Sequence, residues 1–187
     1  MNTVKLKPAK GILLISEPIL SDFYFNRSVV LLADHNEEGS FGLILNKPTD
    51  LKLSDISDDF SGIKAHLFIG GPVKTDSIYF VHTRGDLVAG SSRIMEGLYW
   101  GGQADELREL ILNKQISEKE IRFFIGYSGW KAGQLNDEYE ARAWIASASN
   151  SDQVLHSDPA AMWRNLLMTL GKDYAMWANY PADPTLN

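Results

Sequence analysis

Seven residues separate the apolar run 28–33 from the run 41–46, and seven separate 66–69 from 77–82. A parallel crossover that carries its own helix needs about a dozen residues or more. The first half of the chain is therefore not built from repeated strand–helix–strand units. Ser28-Val29-Val30-Leu31-Leu32-Ala33 and Phe41-Gly42-Leu43-Ile44-Leu45-Asn46 read as two strands of a hairpin, with the turn formers of 34–40 as a long loop. Pro48 reads as the end of the second strand. Residues 11–15, 66–69 and 77–82 read as further strands, with Gly70-Gly71-Pro72 as a strong break and 53–56 as a short helical turn.

The second half mixes helices with strands. Ala104, Leu107, Leu110 and Ile111 make one apolar stripe at helical spacing. Residues 121–126 read as a buried strand, 133–143 as a short helix with Leu135 and Tyr139 on one face, and 144–146 as a returning strand. Asp158-Pro159 is a helix start, with Asp as N-cap and Pro at the first helical position. Met162, Trp163, Leu166, Leu167 and Leu170 follow as its apolar face, and Gly171 stands where a terminating glycine belongs. The tail 179–187 has two prolines and no periodicity, so it is expected extended and surface-packed or frayed. The pattern predicts one domain over 1–187 of the α+β class.

The 187 residues suffice to bury roughly 70% of the unfolded chain's surface, so no covalent staple is required. With no cysteine, disulfides, thiol nucleophiles, iron–sulfur clusters and cysteine–zinc sites are excluded. The net charge of −6 gives no general attraction to nucleic acid or anionic lipid. No apolar run approaches the ~20 residues of a membrane span, and residues 1–15 lack the pattern of a signal peptide. These features fit a cytoplasmic protein. No cofactor is implied. His35, His66, His82 and His156 lack metal-ligand spacing, so no metal site is expected.

Three segments carry candidate chemistry. Gly126-Tyr127-Ser128-Gly129-Trp130, between a strand and a helix, resembles a nucleophile elbow, and His156 or His35 could serve as base. An elbow closes with glycine, however, and here Trp130 occupies that position, so a tight turn that packs Trp130 inward is the simpler reading. Phe23-Tyr24-Phe25-Asn26-Arg27 interleaves aromatic rings with a cation and could stack a base; an aromatic anchor for the following strand is the plainer alternative. Asn46-Lys47-Pro48 with Gly70-Gly71-Pro72-Val73 could cradle an anion, with Lys47 as counter-charge. Residues 85–92 have the glycines of a phosphate loop without its lysine. Glu138 and Arg142 stand four apart on the expected helix, as a surface pair would, and Arg27 with Glu138 is a candidate structural ion pair. The tryptophans at 100, 130, 144, 163 and 177 read as core or groove lining.

Taken in order, these segments resemble the YqgE/AlgH family. The residues that carry the resemblance are Phe25-x-Arg27-Ser28-Val29-Val30, His35, Gly39-x-x-Gly42-Leu43-x-x-Asn46-Lys47-Pro48, Gly70-Gly71-Pro72-Val73, Gly126-Tyr127-Ser128-Gly129-Trp130-x-x-Gly133-Gln134-Leu135, Glu138, Trp144, Trp163 and Leu170-Gly171. The match spans nearly the whole chain. It implies an α+β fold whose bifurcated β-sheet forms a pseudo-barrel flanked by helices, in a bacterial cytoplasmic protein. The family is labelled as transcriptional regulators and has no settled activity. Its pattern often has alanine at the position of Ser128, which argues against a serine nucleophile.

The expected function is a non-enzymatic binding or regulatory module acting through a protein or small-molecule partner. Its expected surface is a groove joining Arg27, His35, Asn46, Lys47, Gly71, Ser128, Trp130, Gln134 and Glu138, which lie at strand ends and turns. The alternatives are a serine hydrolase using Ser128 and direct nucleic-acid binding. The latter is disfavoured, because no helix-turn-helix pattern or basic stripe is present.

Overall fold

The computed structural model describes residues 6–180 except 19 and 21. Ten strands form one sheet: β1 (Leu13–Ser16), β2 (Val29–Asn36), β3 (Gly39–Ile44), β4 (Pro48–Lys52), β5 (His66–Ile69), β6 (Val73–His82), β7 (Ser92–Met95), β8 (Leu98–Trp100), β9 (Ile121–Lys131) and β10 (Trp144–Ser147). Six α-helices flank it: α1 (Leu53–Ile56), α2 (Ala104–Leu112), α3 (Gln134–Glu140), α4 (Ser151–His156), α5 (Pro159–Thr169) and α6 (Lys172–Trp177). The main path runs β10-β1-β2-β3-β9-β6-β8-β7.

The sheet forks at β9. Its C-terminal half, Ser128–Lys131, pairs with β3. On that same side the N-terminal half, Phe123–Ile125, pairs in parallel with β5, which in turn pairs with β4. β6 lies antiparallel along the opposite side. Going from β5 to β6, the chain must therefore cross the face of β9, and residues 70–72 make that crossing. A Cβ on Gly70 would stand 2.2 Å from the Gly126 carbonyl oxygen; one on Gly71 would stand 2.3 Å from the Tyr127 carbonyl carbon. Only glycine lets two backbones approach this closely.

The sheet curls without closing. β7 and β10 end the path and do not pair, yet β7 returns beside the start of β1, where a Cβ on Gly11 would lie 3.3 Å from the Ile94 carbonyl oxygen. Inside the curl, Leu13, Leu31, Leu43 and Phe124 pack against Met162, Trp163, Leu166 and Leu167 of α5. Each such side chain removed from water contributes roughly 1.5–3 kcal/mol. The opposite face carries two smaller cores. One joins Leu107 of α2 to Phe80 and Phe123, and the other joins Leu135 of α3 to Leu14, Val30 and Trp130. The fold is thus α+β, with a bifurcated, curled sheet between helices.

Local signals hold for the long elements. Asp158 caps α5 through Ala160 N–H at 3.1 Å, with Pro159 following, and Gly171 takes φ 115° after it. Other expectations are corrected. The loop expected at 34–40 is a two-residue turn, Glu37-Glu38, because the polar residues 34–36 continue β2 past the core. Pro48 begins β4 instead of ending a strand; as the first residue of a strand with one neighbour, it forfeits no ladder bond. The hairpin β7–β8 and the short helices α4 and α6 carry too little periodicity to be read in advance. Of the tail, Asn179 and Tyr180 continue a turn after α6, and 181–187 lie outside the described residues.

Candidate functional site

The nine residues expected to converge fall into separate groups. Trp130, Gln134 and Glu138 come together, because β9 runs directly into α3. Glu138 Oε2 accepts from Trp130 Nε1 and Trp144 Nε1, each at 2.8 Å, and its Oε1 accepts from Gln134 Nε2 at 2.9 Å. Gln134 also accepts from the Lys131 N–H at 3.0 Å. One carboxylate therefore fixes the orientation of two indoles that meet edge to face at 5.9 Å. Replacing Glu138 with alanine orphans both indole N–H groups and is expected to cost about 2–4 kcal/mol. Glu138→Gln, which keeps an acceptor, is expected to lose less than half of that; chemical denaturation followed by tryptophan fluorescence measures both.

Arg27, Asn46 and Lys47 form a second group around the turn 22–27. The Asn46 amide accepts from Val29 N–H and donates to Arg27 O, both at 2.8 Å, fastening the turn to β2. Lys47 Nζ donates to Asn26 O at 2.9 Å; burial pushes its pKa down, opposed by Asp22. Arg27 stacks its guanidinium 5.0 Å above Trp163 and donates to Tyr180 O. Neither cation makes an ion pair among the described residues, and the expected Arg27–Glu138 pair does not form. Phe25 links the two groups, at 6.3 Å from Trp130 and 5.4 Å from Trp144. Phe23, by contrast, is 76% exposed.

Gly71 and Ser128 belong to the strand crossing. The turn expected at 126–130 lies inside β9: Gly126 takes φ 68°, the ladder runs on beyond it, and the extra residues of the irregularity opposite it, 74–77, belong to β6. Ser128 is fully buried, and its Oγ donates to Gly70 O at 3.0 Å. No histidine bonds to it: His35 Nδ1 pairs with Ser40 Oγ at 2.7 Å, while His156 bonds to Asp152 and Lys119 O, each at 2.9 Å. The elbow is absent and the serine is a structural clip. Gly70 N–H donates to Ile125 O, so the glycine pair is no open anion cradle either.

A surface the sequence reading did not assemble lies on the other side of Trp144. A groove of about 800 Å³ runs along β10 between α3 and α6. Tyr139 and Trp144 line one wall and Tyr174 and Trp177 the other, with Ile145 and Ala146 between them. β10 pairs with β1 alone among the described residues. Glu17 N–H donates to Ala143 O, and Ile15 faces Ile145, so Ala143, Ile145 and Ser147 turn their backbone groups to β1. By alternation, those of Trp144 and Ala146 point away from it, into the groove.

Arg142, Glu17 and Asp173 stand at the rim. No ion pair engages any of them among the described residues, so the expected Glu138–Arg142 pair is not made. Arg142 has φ 65° and sits one position past the last residue of α3's terminal turn. Its N–H donates to Tyr139 O and the next N–H donates to Glu138 O, a Schellman closure at the position where glycine is favoured. Arg142 was legible only as a possible partner of Glu138; its left-handed backbone and place on the groove depend on how α3 ends. Of the tryptophans, 144 and 177 line the groove, while 163 and 130 are core.

No helix among the described residues is long and apolar enough to cross a membrane, and no cluster of three or more acidic or histidine side chains there could hold a metal ion. The chain was compared with known proteins. It is 43% identical over 180 residues to a UPF0301 protein of Cytophaga hutchinsonii, covering 95% of this chain and 98% of that one. It is 41% identical over 177 residues to a UPF0301 protein of Chlorobaculum parvum, covering 95% of each. The solution structure of the AlgH protein from Pseudomonas aeruginosa superposes with a TM-score of 0.74 at 25% identity, over 97% of this chain and 98% of that one. The crystal structure of protein DIP2367 from Corynebacterium diphtheriae gives 0.78 at 22% identity over 95% of each and shares the fold. The AlgH-like family matches residues 13–175, and the chain belongs to that family.

Proposed function

We propose that this protein is a non-catalytic binding module that uses the groove along β10, working in the cytoplasm and regulating through a partner. The groove's dimensions and lining carry the reading. A cleft of about 800 Å³ lies within the range of ligand sites, aromatic side chains line it, and its few charged groups make no ion pair among the described residues. Glu138 and Trp130 support it from behind by fixing the Trp144 indole. Lys47 and Arg27 are engaged by backbone carbonyls and a ring, and two cations in a chain of net charge −6 are a weak footing for nucleic acid.

Ser128→Ala tests the enzymatic alternative. It is expected to cost about 1 kcal/mol of stability, the value of one hydrogen bond, and to leave partner binding intact. Fluorophosphonate labelling at Ser128 in the native protein would restore the hydrolase reading.

The binding reading is tested by thermal-shift screening against nucleotides, sugars, acyl compounds, oligonucleotides and peptides. A ligand at 100 times its Kd adds about 2.7 kcal/mol. A hit is expected to change Trp144 and Trp177 fluorescence. Hits that leave both indoles unperturbed, or no hit with nothing retained from lysate, would remove it.

A further inference from the structure

The chemistry of the groove narrows what it takes, given the binding reading above. We propose that its ligand is an extended peptide segment that adds as a strand to the outer edge of β10. Three observations carry this. First, the outward backbone N–H and C=O groups of Trp144 and Ala146 form a short row that another strand satisfies through main-chain bonds, whereas a compact small molecule leaves part of that row unmet. Second, the walls stand on the two faces of the sheet: Trp144 belongs to the core under α3, and Tyr174 and Trp177 to the layer of α5 and α6. Side chains of an added strand alternate between faces, so successive residues meet the buried Tyr139–Trp144 side and the partly exposed Tyr174–Trp177 side in turn. Third, the rim holds one cation, Arg142, and two anions, Glu17 and Asp173. A ligand of one sign meets a like charge there; a peptide bearing both signs meets neither penalty.

Arg142, one of four cationic residues with positive φ among the described residues and the one of them that lines the groove, adds to this. An L-residue in the left-handed region is less stable than glycine, and this arginine makes no ion pair among the described residues to offset it. What it does instead is carry a guanidinium to the groove. Met176, an apolar lining side chain with 66% exposure, adds an adaptable rim suited to varied peptide side chains.

The experiment pans a phage-displayed library of random linear dodecapeptides against the full chain, followed by a synthetic peptide from the enriched pool. Enrichment of period-two apolar patterns is expected. With the bound peptide, hydrogen exchange at the Trp144 and Ala146 amides should slow at least tenfold. Arg142→Gly should raise Tm by about 1–3 °C, since it relieves the strained backbone, while weakening the peptide at least fivefold. A purely structural arginine gives the first effect without the second. No enrichment, or peptides that bind without protecting those two amides, overturns the proposal. So does a doubled mass by light scattering with the same amides protected and no peptide present, which assigns the edge to a second copy of the chain. If the small-molecule arms of the thermal screen perturb Trp144 and Trp177 while no peptide binds, the binding-module reading stands and the peptide falls; if neither binds, both fall.

Discussion

Gly71→Ala is expected to abolish folding, or to leave a protein destabilised by more than about 4 kcal/mol. A Cβ there would lie 2.3 Å from the Tyr127 carbonyl carbon and 2.4 Å from both Tyr127 O and Ser128 N. All three are backbone atoms of β9, and β9 cannot shift, because β3, β5 and β6 all pair with it. Gly71 itself has φ 153°, where L side chains are strained even without a clash. Relief would have to break the crossing, and with it the join between the β4–β5 branch and the main path. Ser128→Ala removes a hydrogen bond at the same crossing and has a far smaller cost, so the pair separates steric from polar contributions. Expression in soluble form and circular dichroism read the result. A folded Gly71→Ala protein within about 1 kcal/mol of the parent would show that the crossing opens easily.

Arg122 is the second residue whose loss should be severe. Its side chain is buried, and it makes no ion pair among the described residues. Instead its guanidinium donates to Leu45 O at 3.1 Å and to Leu155 O at 2.7 Å, and lies 4.4 Å above the Phe68 ring. It thereby joins the end of β3's strand region, β5 and the last turn of α4, whose terminal carbonyls favour a cation. Arg122→Met keeps much of the apolar volume but leaves two buried carbonyls without donors, at about 1–3 kcal/mol each. A loss of about 3–5 kcal/mol by urea denaturation is expected; a change below 1 kcal/mol would show that water replaces the guanidinium.

The same residue has a pH signature. Burial pushes its pKa down to about 10, below the ordinary arginine range. Below pH 9 the group is charged in both folded and unfolded chains, so its contribution does not vary. Above about pH 10 the unfolded chain binds the proton more tightly, and this group's contribution to stability therefore rises with pH. The stability difference between the parent and Arg122→Met should be flat from pH 6 to 9 and widen above pH 10. A difference that narrows there reverses the assignment.

Local chemistry determined much of this protein without reference to the rest of the chain. Asp158-Pro159 and the spacing of Met162, Trp163, Leu166 and Leu167 specify α5 from its cap to its buried face. Leu135 and Tyr139, four apart, specify the inner face of α3, and the β-branched run 28–33 specifies a buried strand. Cap bonds and side-chain periodicity act over three or four residues, so they are legible there.

Where partners are distant in sequence, only the tertiary structure decided. Gly70-Gly71 reads as a turn, and becomes a crossing only because β9, some fifty residues later, lies beneath it. Ser128 reads as part of a tight turn, with a nucleophile as the lesser alternative, until that crossing buries it against Gly70 O. Glu138 reads as a surface acid until Trp130 and Trp144 bring their N–H groups to it. The groove is the extreme case. Its floor is an edge that exists because no described strand pairs with the side of β10 turned away from β1, and its walls come from two helices on opposite faces. The spacing of Trp144 and Trp177 along the chain carries no trace of that arrangement, since strand pairing and helix packing bring together residues with no periodic relation.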